Sequence, residues 1–388
     1  MEGFERILTQ ATAAETQDLL AGIGLVVDGN GNTLYRYAAG RQSLDSDSPP
    51  IDPDSTVAMA SAGKFMTHIA ALQLVERGLV TLDEPLSKHL PELDSLPVIS
   101  REGDTGAVSL RPAAKKITLR NLLLHTSGVS SQDLVQERLA SSPELAEIAV
   151  EEDAHPIVKH FSMPLIFEPG EGYSYGGSIG WTQLLVQRIT GSFVTHMQTN
   201  MFDPLGMTLS TYQPNNKPEV WEKRMRMVER VGDGLIAADD ASQGQMCSIS
   251  DVGVVLSDLL SPQPKLLAQQ EHIDLLFTGQ LEEGSTAIND LRDLNENHGF
   301  CTGTSAKLRA PLVNWSAAGL VLEEDMPLGR MPKGTVTWDS MPNLLWAMNR
   351  EKGLGMLFAN QLIPVGDEKA NGLALAFMNA AWGAFGKD

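Results

Sequence analysis

Apolar residues recur with a helical period at the start of the chain. Residues 4–20 (FERILTQATAAETQDLL) place Phe4, Ile7, Leu8, Ala11 and Ala14 on one stripe, which predicts a helix. The pattern then becomes β-rich. Gly22–Val27 and Thr33–Tyr37 flank the turn-forming run Asp28-Gly29-Asn30-Gly31-Asn32, the signature of a hairpin. From about residue 60 to residue 300 helical periodicity dominates, broken by loops containing Pro and Gly. From Ala310 onward β-rich runs return at Ser316–Leu322, Thr335–Trp338, Leu344–Met348 and Gly355–Ala359, and a helical stretch, Asp367–Phe385, closes the chain.

Strands at both ends with helices between them predict one sheet assembled from the two termini, with a helical domain inserted in the middle. The expected class is α/β plus all-α, with residues 1–95 and 300–388 in the sheet domain and 96–299 in the helical domain with its substrate-binding loops. Residues 101–116 (REGDTGAVSLRPAAKK) read as a mobile polar excursion. Ser248-Ile249-Ser250-Asp251, ahead of an apolar run, reads as a helix cap rather than a nucleophile.

Composition narrows the chemistry. The 388 residues allow an ample core without a metal or disulfide staple. Cys247 and Cys301 are the only cysteines, so there is no CxxC pair and no Cys-based zinc site; one bridge between them is the sole disulfide available. With 29 Lys plus Arg against 49 Asp plus Glu, the formal charge of -20 argues against a nucleic-acid backbone or an anionic membrane as partner. The N-terminus lacks a basic segment followed by an apolar run, and no stretch approaches the ~18 apolar residues of a membrane span. A cytoplasmic monomer without metal or cofactor is expected.

Candidate chemistry begins at Ser61-Ala62-Gly63-Lys64, after the apolar Val57-Ala58-Met59-Ala60 and at the start of a helix with Phe65, Ile69, Leu72 and Val75 on its buried stripe, ending at Gly78. That spacing sets Ser61 and Lys64 one turn apart on one face. A serine hydroxyl is a poor nucleophile until a base takes its proton, and a lysine amine serves once burial lowers its pKa. A bland alternative makes Ser61 an N-cap and Lys64 a solvated first-turn residue. His68, one turn further on, and His125 read as packing or hydrogen-bonding residues rather than metal ligands.

Residues 57–93 resemble the nucleophile helix and following loop of the serine β-lactamase and penicillin-binding-protein superfamily. Ile117-Thr118-Leu119-Arg120-Asn121-Leu122-Leu123-Leu124-His125-Thr126-Ser127-Gly128 is similar to its "ITIRHLLTHTSG" segment, and Phe202–Met207 to its "FxPLGM" segment, all in the expected order. The resemblance implies a β-lactamase/transpeptidase-like fold, with an antiparallel sheet flanked by helices. In Phe167–Ser178, the spacing from Pro169-Gly170 picks Tyr175 as the phenol that shares the base role with Lys64, with Gly177 where Asn is usual and Tyr173 nearby as a substrate-contacting residue. The third motif falls on Trp338-Asp339-Ser340, which the resemblance sets along the substrate, with Ser340 in place of Gly and Asp339 adding a carboxylate. The oxyanion donors it implies are the backbone N–H groups of Ser61 and Met341.

Within that superfamily, Tyr175–Trp181, Met341–Trp346 with Arg350–Leu354, and Gln361–Pro364 are similar to the fungal transesterases of polyketide biosynthesis, the branch of the lovastatin side-chain acyltransferase. Membership implies acyl transfer from a small-molecule ester or thioester, free or carrier-bound, to a hydroxyl acceptor or water. Two alternatives stand beside it. One is a β-lactam or D-Ala-D-Ala hydrolase, disfavoured by the absence of a Lys-Thr-Gly strand. The other is a catalytically impaired ligand-binding descendant, suggested by Gly177, Asp339 and Ser340.

Overall fold

A computed structural model gives the fold and describes residues 1–101, 107–240, 244–298, 312–326 and 330–386. Cys301 and Ala310 lie outside the described residues; Cys247 is buried as a free thiol. No described helix is long and apolar enough to cross a membrane.

The first helix is shorter than its periodicity suggests. α1 (Glu2–Ala11) buries Phe4, Leu8 and Ala11 but leaves Ile7 50% exposed. It stops because Asp18 and Leu19 fold back and donate their N–H groups to Ala11 O, which places Ala14 in the turn. The expected hairpin forms as β1 (Ala21–Asp28) and β2 (Thr33–Gly40). The short strand β3 (Thr56–Ala58) leads into the 3-10 turn Ala60–Gly63 and then α2 (Lys64–Glu76), where every residue from Phe65 to Leu74 is buried. α2 is thus an interior helix with no polar face, a burial wider than the single stripe expected.

Further along lie α3 (Ser178–Thr190), β4 (Met246–Ser248) and α4 (Ile249–Leu260). β3 and β4 pair antiparallel through Thr56↔Ser248, Val57↔Cys247 and Ala58↔Met246. The chain then supplies β5 (Val313–Trp315), β6 (Leu320–Leu322), β7 (Val336–Asp339), β8 (Leu345–Asn349), β9 (Leu354–Ala359) and α5 (Glu368–Phe385). The run Ser316–Leu322, expected to be one strand, is a turn followed by a strand. Ser316 Oγ accepts from the N–H groups of Ala318 and Gly319 and holds the chain bent between β5 and β6. Part of the expected polar excursion is also ordered, as the strands Pro97–Arg101 and Val108–Pro112 pair with each other.

The main sheet runs β5-β6-β7-β8-β9-β1-β2 and is antiparallel throughout, so the N-terminal hairpin docks onto the last strand made, with Leu25↔Leu357 and Val27↔Gly355. This is the mixed α/β architecture expected, a central antiparallel sheet flanked by helices. One face is covered by α1 and α5, where Phe4, Phe358 and Phe377 meet with centroids 5.2–6.1 Å apart. Gly24 is required there, since a Cβ would stand 2.6 Å from Phe377 Cε2. α4 crowds the sheet as closely, as a Cβ on Gly253 would stand 2.7 Å from Leu25 Cδ2.

Candidate active site

The turn that carries Ser61 is fixed by bonds from distant segments. Met59 N–H donates to Gln245 O, Ala58 N–H donates to Gln361 Oε1, and Ala60 takes a left-handed φ of 43°. A non-glycine residue in that region stores strain on the order of 1 kcal/mol, which the surrounding bonds hold in place. A side chain at Gly63 would displace the buried Gln245 amide, whose Oε1 would lie 2.0 Å from the added Cβ. The turn is 3-10 and its serine does not cap α2: Ser61 makes no side-chain cap bond, and Gly63 is the cap position. Its hydroxyl meets Lys64 instead, with Nζ 2.6 Å from Oγ.

Lys64 keeps an edge exposed, yet burial around its ammonium pushes its pKa down to about 8, with the Asp339 carboxylate pulling the other way. A midpoint there leaves a sizeable minority of molecules with a free amine at neutral pH, the state able to take a proton from Ser61. Nζ also sits 4.6 Å from the centroid of the Tyr175 ring. Trp338 Nε1 donates to the phenol oxygen of the same residue at 3.0 Å. Ser61, Lys64, Tyr175 and Trp338 therefore form one connected group drawn from three segments far apart in sequence.

The Tyr175 loop hangs on the segment 125–130. Ser174 N–H donates to His125 O, Gly170 N–H to Thr126 O and Ile166 N–H to Gly128 O. Hydroxyl pairs add to this, Ser130 with Ser174 at 2.7 Å and Ser127 with Ser178 at 2.9 Å. The closeness of this seam sets a local requirement: Gly128 has a φ of 84°, and a Cβ there would stand 2.4 Å from Phe167 O. Position 177 is equally closed, since a Cβ would stand 2.7 Å from Phe161 Cδ1 and 2.8 Å from Val129 Cγ1.

On the strand side, Trp346 Nε1 donates to Ala62 O at 2.9 Å, so β8 is tied to the nucleophile turn and its partner β7 is carried alongside, with Trp338 opposite Trp346 and Asp339 opposite Leu345. Ser340 is buried, and its Oγ has no hydrogen-bond partner among the described residues; Met341 is 50% exposed. The bend after β7 is held by Asn343, at φ 55°, whose side chain donates to Leu362 O and Pro364 O and accepts from Gly366 N–H.

Tyr173, expected at the substrate, is only 5% exposed and packs 5.5 Å from Trp315 and 6.1 Å from His125. One expectation needs correction. His125, read as a hydrogen-bonding residue, has no hydrogen-bond partner on either ring nitrogen among the described residues. It adopts φ 55° and lays its ring 4.7 Å from that of Tyr175. His68 does bond, with Nδ1 2.7 Å from Ala317 O, which fixes the proton on Nδ1. Burial holds both imidazoles uncharged, His68 at about 4 and His125 well below its ordinary value.

One member of the wall escaped the sequence reading. Trp315 on β5 lies 4.6 Å from Trp338, edge to face, and 6.0 Å from Tyr175. Its position in a β-rich stretch beside a turn gave no sign that β5 and β7 would bring the two indoles together two strands apart.

A family model described as Beta-lactamase matches residues 5–377. The chain is 29% identical to the acyltransferase calJ of Penicillium decumbens, covering 99% of each chain, and 30% identical to a lovastatin esterase of Penicillium rubens, covering 92% of each. A mutant of the simvastatin synthase LovD from Aspergillus terreus superposes with a TM-score of 0.86 at 28% identity, covering 100% of this chain and 99% of that one. The chain belongs to the Beta-lactamase family, within the β-lactamase/transpeptidase-like superfamily and closely related to the fungal polyketide acyltransferases.

Proposed function

We propose that this chain is a serine acyl-enzyme hydrolase and acyltransferase acting on small-molecule esters or thioesters of the polyketide type, with Ser61 as nucleophile, Lys64 as base and Tyr175 as proton carrier. The observation that carries the reading is the 2.6 Å contact between Lys64 Nζ and Ser61 Oγ at a turn where the hydroxyl caps nothing. Relatives named as acyltransferases and an esterase support the substrate class.

The free amine of Lys64 takes the Ser61 proton as Oγ attacks the acyl carbonyl carbon, and the C=O pair moves onto oxygen. The backbone N–H groups of Ser61 and Met341 are assigned to that oxyanion. Collapse restores the carbonyl and breaks the bond to the leaving alkoxide or thiolate, which receives the proton from the Lys64 ammonium by way of Tyr175 OH. The product is an acyl-Ser61 ester. In the second half an alcohol or water gives its proton back along Tyr175 to Lys64, attacks the same carbonyl, and releases the acyl group while Ser61 regains its hydrogen. Trp338 holds the phenol oxygen in line for both transfers, and its strand neighbours Asp339 and Ser340 are assigned to the wall that meets the acyl group.

Intact-mass spectrometry after incubation with a fluorophosphonate tests this. One adduct per chain is expected, absent in Ser61→Ala. Equal labelling of that variant would remove Ser61 as nucleophile. A short-chain nitrophenyl ester turned over while a chromogenic cephalosporin is left intact would separate the ester reading from a β-lactam hydrolase.

A further inference from the structure

Proton relay through Tyr175 depends on which way the phenol hydrogen points, and that is governed by what occupies the lone pairs of its oxygen. One lone pair accepts from Trp338 Nε1 at 3.0 Å. An indole N–H keeps its aim only while its ring is held from turning about χ1 and χ2. Trp315 stands against that ring, with centroids 4.6 Å apart and planes at 90°, the edge-to-face arrangement in which a positive ring edge meets a negative face. The Trp315 indole also lies 6.0 Å from Tyr175 at 68°, 5.4 Å from His125 and 5.5 Å from Tyr173, so it touches each of the other four rings in the wall.

Trp315 is anchored to the helix that carries Lys64. Its N–H donates to Asn314 Oδ1 and its carbonyl accepts from Gln280 N–H, both at 2.8 Å. Two residues on, Ala317 O accepts the Nδ1 hydrogen of His68 at 2.7 Å, which ties the end of β5 to α2. β6 lies between β5 and β7, so contact between their indoles needs a gap in it. Gly319, just before β6, supplies one: a Cβ there would stand 3.2 Å from Trp338 Cβ and 2.8 Å from Thr337 O. At 2% exposure, Trp315 acts on the chemistry through neighbouring rings rather than by touching substrate.

We propose that Trp315 is a positioning residue for the leaving-group step: it holds the Trp338 indole in the orientation from which Tyr175 delivers a proton to the departing oxygen. The inference rests on the acyl-enzyme reading above. As the tetrahedral intermediate collapses, the carbonyl re-forms and the bond to the leaving oxygen breaks, its electron pair staying on that oxygen. The leaving oxygen takes the phenol hydrogen, and the phenol takes one from the Lys64 ammonium. A group that is stable as an anion, such as nitrophenolate, departs without that proton, whereas an alkoxide requires it. Lost alignment therefore penalises alkyl esters first.

The test compares kcat/KM, which reports the steps through loss of the leaving group, for ethyl butyrate and nitrophenyl butyrate in the wild type and Trp315→Leu. The acyl group is the same in both esters, so only the departing oxygen differs. W315L should lower the value for ethyl butyrate by roughly tenfold more than that for nitrophenyl butyrate, a part of the range open to general acid catalysis. In a Trp338→Phe background, which already lacks the indole donor, W315L should add no further selective loss. An equal loss on both esters would overturn the proposal and leave Trp315 as a packing residue, and so would a full additional selective loss in the Trp338→Phe background. Should W315L not fold, Trp315→Phe, which keeps a smaller ring, is read by the same ratio. A wild type that takes no fluorophosphonate adduct on Ser61 sinks the acyl-enzyme reading itself, whereas a labelled wild type whose ester ratio is unmoved by W315L sinks only this inference.

Discussion

Two serines stand at the ends of neighbouring strands, each just before a helix, and they do opposite things. β3 and β4 are hydrogen-bonded side by side; β3 runs into Ser61 and α2, β4 ends on Ser248 and enters α4. Ser248 has the extended backbone of a cap residue, ψ 157°, and its Oγ accepts from Asp251 N–H at 3.2 Å. Asp251 in turn accepts from Leu209 N–H and Ser210 Oγ. That hydroxyl is engaged by the backbone it satisfies. At Ser61 the chain passes through a 3-10 turn first, the cap position moves to Gly63, and the hydroxyl is left to Lys64. Of the two serines, only Ser61 is relieved of capping by its turn, as the proposed nucleophile requires.

The sharpest way to break this contrast is at Lys64. Lys64→Met should reduce acylation by at least ~10³-fold, at the upper part of the range for a general base, while raising stability at pH 7. The sign follows from linkage. The folded value of about 8 lies below the ordinary 10.5, so the charged form is disfavoured in the folded state; the penalty is complete below pH 8 and fades as pH rises towards 10.5. Removing it should gain on the order of 3 kcal/mol, read by urea unfolding at pH 7. A variant that lost stability would mean that the lysine is well accommodated as a cation.

A second effect, confined to acid, separates the two helices. His68 on α2 has a folded pKa of about 4 against an ordinary 6.5, so the unfolded chain binds more protons between those values and stability falls as pH drops from 6.5 to 4. Replacing His68 with Gln should flatten that part of the stability curve, measured by thermal unfolding across the same range; an unchanged slope would exclude His68 as its source. The smallest effect is the most direct comparison. Ser248→Ala should cost about 1 kcal/mol, the usual worth of a cap, with Ser61 labelling unaffected. Ser61→Ala should leave stability within about 0.5 kcal/mol of the wild type. Equal costs for the two substitutions would erase the distinction.

The strands near the termini were legible because alternation and turn residues act locally: the hairpin around Gly29 and the runs ending at Met348 and Ala359 lie within three residues of the observed elements. Ser61 and Lys64 were legible because their contact is set by one helical turn. Tyr175 emerged only through its spacing from Pro169 and Gly170, within a resemblance. What escaped depends on packing between distant segments. No local pattern shows that Trp315 meets Trp338, that Tyr173 turns inward while Tyr175 turns to Lys64, or that His125 contributes a ring face rather than a hydrogen bond. The inner length of α2 was misjudged for a related reason: Thr67, His68 and Gln73 interrupt the apolar stripe in sequence, yet each is buried because helices and loops surround α2 on all sides.

The sheet joins the first strands to the last, with β1 hydrogen-bonded to β9. Seen in the order in which a ribosome delivers the chain, this separates possession of the reactive residues from their use. Ser61, Lys64 and Tyr175 emerge early, but the indoles that grip the phenol and the nucleophile turn, Trp338 and Trp346, arrive only with the final strands, and β1 waits unpaired on one side until β9 is made. Such long-range pairing folds slowly. A chain interrupted before β7 would therefore carry the proposed serine and base without the strand wall that Trp338 and Trp346 bring to them.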